Sequence, residues 1–115
     1  MTLATFQVEH AQDVLTVRAQ GEIDLSNAGE LSATVNQASN TDDPAPEHVQ
    51  VDLTEISYLD SAGINALADL HRELQAAGRS LNIVVPPSQS PARRVLDLIQ
   101  LDSVLPMTEP EAPRS

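Results

Sequence analysis

The sequence predicts an α/β domain: one mixed β-sheet of about five strands packed with three or more helices. Three observations carry this expectation. Two alternating stretches near the start, TFQVE (5–9) and VLTVRAQ (14–20), have the period-two pattern of a hairpin. Two apolar runs further on, VQVDL (49–53) and LNIVV (81–85), enclose a long stretch with helical spacing. A strand, a crossover helix and a second strand of that length imply parallel pairing. A sheet containing both a hairpin and a crossover is mixed.

Taken in order, the elements justify themselves locally. His10 to Asp13 forms the polar connection of the hairpin, and GEID (21–24) is expected to leave the strand. Asn27 followed by Glu30 fits a capping box, with Ala28, Leu31, Val35 and Ala38 recurring at helical spacing, so a first helix is expected over about 27–38. SNTDDPAPEH (39–48) is a loop by composition, with two prolines and Asp42-Asp43. After 49–53, a second helix is expected over about 62–77, its inward stripe formed by Ile64, Leu67, Leu70 or His71, and Leu74. Gly78 stands where a left-handed residue closes a helix, and His71, Arg72 and Arg79 place basic groups toward its negative end. Ser90-Pro91 opens a third helix carrying Val95, Leu96, Leu98 and Ile99 and fading near Leu101. VLPM (104–107) is expected as a short edge strand. The domain is placed at 1–108, with 109–115 as a disordered tail.

Composition narrows the function classes. The chain of 115 residues carries a formal charge of −11, with seventeen acids against six bases. Such a balance repels nucleic acid and anionic membrane surfaces and steers toward a basic partner. One Phe, one Tyr and no Trp leave no aromatic platform for stacking on bases. No cysteine is present, and no apolar run approaches the roughly 20 residues that span a bilayer. The first ten residues lack the basic and apolar regions of a signal peptide, so a cytoplasmic protein is expected. Without an exposed apolar stripe or heptad, a monomer is expected.

The motifs argue against catalysis. A serine-hydrolase elbow needs glycine two residues before its serine, and Leu59 stands there before Ser61. His71 is about two and a half turns down the helix from Ser61, while His10 and His48 fall in connections. No glycine-rich phosphate loop and no metal-ligand spacing occurs, so no cofactor and no metal is expected, and the chain is not expected to be an enzyme.

The informative stretch is YLDSAGINALADLH (58–71). In the structural reading, Asp60 or Ser61 caps the second helix and Gly63 allows close packing. In the functional reading, Ala62 and Gly63 leave the Ser61 hydroxyl accessible to another protein. Free amides and the positive helix end would favour a phosphate on that hydroxyl, while Asp60 and Asp24 would repel it.

GEID (21–24), VDLTEISYLDSAGINAL (51–67) and IVVPPSQSPARRVLDLIQLD (83–102) together resemble the STAS family, specifically its stand-alone bacterial anti-sigma factor antagonists. The most specific piece is Asp52-Leu53-Thr54 followed by Asp60-Ser61-Ala62-Gly63. The resemblance implies that Ser61 is phosphorylated by an anti-sigma factor, a serine kinase with its own ATP. The unphosphorylated antagonist binds that kinase and so frees a sigma factor; a separate phosphatase resets phospho-Ser61. It also implies a partner contact at Asp24, in the Gly-Glu-x-Asp loop, and around Asp60, Ala62 and Gly63. Ala62 departs from the Ser or Thr usual there, and the loop at 39–48 is longer than usual. Arg93 and Arg94, cations in the first turn of a helix, are taken as solvated surface. The alternative reading is a STAS subunit of a larger assembly, of lipid-transport or stressosome type, that is not gated by phosphorylation.

Overall fold

The computed structural model describes residues 4–40, 45–99 and 106–109. Strands β1 (Ala4–Ala11) and β2 (Val14–Ile23) form an antiparallel hairpin. Its connection is shorter than expected: Ala11 pairs with Val14, and Gln12 takes up the turn at φ 56°. Helix α1 (Ala28–Asn40) leads to β3 (His48–Leu59), α2 (Ser61–Ala76) to β4 (Ser80–Val84), and α3 (Pro91–Ile99) to β5 (Met107–Thr108). The sheet runs β1-β2-β3-β4-β5, with every pairing after the hairpin parallel. The expected mixed sheet of five strands is therefore present.

Register explains the layering. Val8, Val17, Val51, Ile83 and Met107 form one row across the strands, and Val17, Val51 and Ile83 in it are fully buried. The neighbouring row, Gln7, Arg18, Asp52, Val84 and Thr108, points to the other face, because side chains alternate along a strand. On that polar face Arg18 lies 3.3 Å from Glu9 and 3.6 Å from Asp52. Leu31 and Val35 of α1, Ile64, Leu67, Leu70 and Leu74 of α2, and Ala92 and Leu96 of α3 join the strand residues in one core.

Two expectations for the strands fall short for one reason. GEID was expected to leave the sheet, yet only Asp24 does, and VQVDL continues to Leu59. Against β2, strand β3 carries one extra residue between Asp52 and Glu55 and another between Ile56 and Tyr58. Each bulge shifts the side-chain phase by one. The buried positions of β3 accordingly run Val49, Val51, Leu53, then Ile56, then Leu59, so simple alternation ends at Leu53. At the first bulge the Asp52 carboxylate accepts the Thr54 amide at 2.9 Å and the Thr54 hydroxyl at 2.7 Å. That side chain occupies a backbone donor close to the point where the pairing is interrupted.

The helices close as their sequences suggest, with adjustments. In α1, Ser39 rather than Ala38 is the buried residue of the last turn, and its hydroxyl accepts from Arg79 at 2.8 Å. Arg79 also donates to the Pro46 carbonyl at 2.7 Å, tying the end of α1 to the chain entering β3. Leu70, not His71, continues the stripe of α2; His71 is half-buried with its Nδ1 enclosed and unpaired. Gly78 adopts φ 73°, its amide donating to the Gln75 carbonyl and the Arg79 amide to that of Leu74, the bond pair of a Schellman closure.

The Ser90 hydroxyl caps α3 by accepting the Ala92 amide. Arg93 is not a solvated cation: its side chain is 16% exposed and bonds Asp97, Glu109 and the Pro86 carbonyl. Arg93 draws the Glu109 carboxyl below its ordinary range through that hydrogen bond. Glu109, first residue of the expected tail, is thus tied to α3. Residues 110–115, the end of the third helix near Leu101, and Val104-Leu105 of the expected edge strand lie outside the described residues. So do Thr41 to Pro44 of the expected loop, whereas 39–40 belong to α1 and His48 begins β3.

A methyl group at Gly78 meets nothing within 4 Å, so Gly78→Ala isolates the cost of a left-handed backbone. We expect a loss of about 1 kcal/mol in unfolding free energy by chemical denaturation.

Candidate functional site

The parallel strands β2 and β3 end together at the register pair Ile23 and Leu59. Each strand then feeds a helix, so two helix starts lie at neighbouring strand ends. The carboxyl ends of parallel strands are the usual position for sites on open α/β sheets. Asp24 follows Ile23 and Asp60 follows Leu59, and the Asp60 amide still donates to the Ile23 carbonyl at 3.3 Å.

Asp60 answers which residue caps α2. Its backbone is extended (φ −110°, ψ −174°), and its carboxylate accepts the amides of Ala62 at 2.9 Å and Gly63 at 3.2 Å. The Ile64 amide then bonds the Asp60 carbonyl and starts the helix. Ser61 is the first helical residue and is exposed. No hydrogen bond engages its hydroxyl among the described residues. The cap is complete without it.

Two expectations change here. The amides of Ala62 and Gly63 are not free to receive a phosphate, because the Asp60 carboxylate already holds them. Gly63 does not leave open space beside Ser61 either. It is buried against the sheet, where a Cβ would collide with Leu59 Cδ1 and come within 3.0 Å of Ile23 Cγ2. Glycine at this position lets the first turn of α2 sit on the strand ends. Ala62 is half-buried.

The loop from Asp24 to Asn27 is held by its own polar groups. Asn27 is only 5% exposed. Its carboxamide oxygen accepts the Asp24 amide at 3.0 Å, and its Nδ2 donates to the Glu22 carbonyl at 2.9 Å. The side chain therefore reaches back to the strand, instead of forward into α1 as a capping box requires. Asp24 accepts the Ser26 amide and hydroxyl, while its carbonyl accepts the amides of Asn27 and Ala28. Leu25, at the tip, is 84% exposed. Sequence patterning gave no sign of it, since one leucine in a loop has no period to violate.

The histidines stand apart from Ser61's end of the sheet. His48 begins β3, and its Nδ1 lies 2.6 Å from the Ser80 hydroxyl. With Asp13 and Glu47 it forms a group whose ligand atoms lie within 4.8 Å of one another. All three residues are exposed. Spacing along the chain could not reveal the group, because its members come from separate elements. Among the described residues, no helix is long and apolar enough to cross a membrane.

Comparison with known proteins places this geometry in context. The family model of the STAS domain matches residues 5–112. Over 81 residues the chain is 33% identical to Osmosensory protein A of Mycobacterium tuberculosis, covering 70% of this chain and 48% of that protein. The matched segment thus spans about half the length of that relative. Identity to the Anti-sigma F factor antagonist of Paenibacillus polymyxa is 24% over 105 residues, covering 91% of this chain and 86% of the relative. Among solved structures, an anti-sigma factor antagonist from Mycobacterium paratuberculosis superimposes with a TM-score of 0.74 at 27% identity, covering 91% of this chain and 85% of that one.

Three substitutions separate the cap from the packing beneath it. Asp60→Ala is expected to cost about 1 kcal/mol of stability, and Asp60→Asn much less. Gly63→Ala is expected to cost about 1–3 kcal/mol, because Leu59 and Ile23 are both enclosed and must shift. Equilibrium denaturation of the three variants checks the order.

Proposed function

The chain belongs to the STAS domain family, a family of regulatory binding proteins rather than enzymes, and we propose that it is an anti-sigma factor antagonist switched by phosphorylation of Ser61. The observation that carries the proposal is the division of labour at the start of α2: Asp60 supplies the whole cap, and the exposed Ser61 hydroxyl has no structural task.

The partner is an anti-sigma factor that is also a serine kinase. It carries ATP to this site, since the chain has no phosphate-binding loop of its own. Ser61 Oγ attacks the γ-phosphorus of ATP; its proton passes to a base of the kinase, and ADP leaves. The unphosphorylated chain holds the anti-sigma factor and so releases a sigma factor. A phosphatase later hydrolyses the serine phosphate and returns the chain to its binding form. Asp24 and Ala62 lie at the contact, while Asp60 and Gly63 shape it.

The electrostatics of the cap favour a switch. Phosphorylation adds about −1.5 to −2 charges beside Asp60. Because Asp60 already holds the amides of Ala62 and Gly63, the phosphate gains those donors only by displacing the carboxylate. A contact built around a neutral hydroxyl must then accommodate a dianion that the antagonist does not neutralise. Each 1.4 kcal/mol of this mismatch lowers affinity tenfold.

Incubation with ATP and the purified anti-sigma kinases of the host tests the reading by intact mass and site mapping. One phosphoryl group on Ser61 is expected, with none on Ser61→Ala, and the phosphorylated chain should bind its kinase at least tenfold more weakly. Failure of every such kinase to modify or bind the chain would overturn the proposal and favour an ungated subunit of a larger assembly.

A further inference from the structure

Three large hydrophobic side chains are exposed among the described residues: Val8, Leu25 and Tyr58. Two of them flank the strand ends that hold Ser61. Leu25 lies just beyond Ile23, and Tyr58 just before Leu59. A lone exposed leucine is ordinary on a protein surface. Leu25 differs in where it stands and how it is held.

The loop that carries it has no slack. Asn27 closes it from both sides, through the Asp24 amide and the Glu22 carbonyl, and the Asp24 side chain secures Ser26. The backbone carbonyl of Asp24 anchors the start of α1. The chain thus fixes a loop while leaving its one apolar side chain 84% in water. A side chain presented on an already ordered loop loses little further freedom on binding. Burying a leucine is among the larger gains a single contact supplies.

Charge identifies what covers it. No Lys or Arg occurs between Arg18 and Arg72, the span that contains the whole site. Glu22, Asp24 and Asp60 lie at the strand ends, and Glu30 in the first turn of α1. Along this stretch of chain the apolar tip is therefore accompanied by acidic charge alone. An occupant with an apolar pocket edged by Lys or Arg complements both features; a second copy of this chain, acidic at the same place, does not.

We infer that Leu25 is the apolar anchor by which the anti-sigma factor holds the face around Ser61, inserted into an apolar pocket bordered by basic side chains. The inference rests on the functional reading above. Tyr58, 46% exposed on the adjoining strand end, supplies a second contact at the edge.

Calorimetric titration of the cognate anti-sigma factor against wild type, Leu25→Ser and Leu25→Met tests it. Leu25→Ser should weaken binding tenfold or more with an unchanged unfolding midpoint, Leu25→Met should keep most of the affinity, and raised salt should weaken wild-type binding. If wild type binds and Leu25→Ser binds equally well, the anchor is wrong while the functional reading stands. If the titration is insensitive to salt, the basic border is wrong. If no anti-sigma factor binds wild type, the functional reading itself falls, and the anchor with it. Sedimentation of the free protein completes the test: a wild-type dimer that Leu25→Ser converts to monomer would show a second copy covering the leucine and overturn the inference.

Discussion

The Asp60 carboxylate, accepting the amides of Ala62 and Gly63, is the contact on which the site depends. It stands at a junction where three demands meet. The Asp60 amide extends the pairing of β3 with β2, its carbonyl opens the first turn of α2, and its side chain satisfies donors that a helix start leaves unpaired. With one residue meeting all three, the next residue is released from structural duty. That residue is Ser61. Gly63 completes the arrangement from below, since any side chain there would push the helix off Ile23 and Leu59.

How much of this was legible in the sequence follows from the range of each interaction. The hairpin, the crossover and the stripe of α2 were readable, because each rests on periodicity within a single element. Gly78 was readable as a stop signal, and the structure gives it the required positive φ. The full length of β3 was not. Its two bulges shift the apolar phase after Leu53 and again after Ile56, and a bulge is defined against the neighbouring strand. The choice between Asp60 and Ser61 as the cap was equally hidden. Both residue types cap helices, and the extended backbone at Asp60 decides between them.

Asn27 shows a subtler limit. Its place before α1 and its spacing to Glu30 mark it as a helix-start residue, and it is one. Its side chain nevertheless turns back to Asp24 and Glu22, so the pattern located the residue but not the direction of its bonds. Arg93 shows the same limit for charge. An arginine in a first helical turn suggested solvent, whereas Glu109, sixteen positions later, holds it against the end of the sheet. Contacts between distant parts of the chain govern both cases.

The sparse aromatic content has a practical side. With no tryptophan in the chain and Tyr58 its single tyrosine, tyrosine emission comes from one place. That place is the exposed end of β3, one residue before Leu59 and three before Ser61. The protein therefore carries a built-in optical label next to the proposed partner surface, and the label reports on events there without any dye or engineered probe.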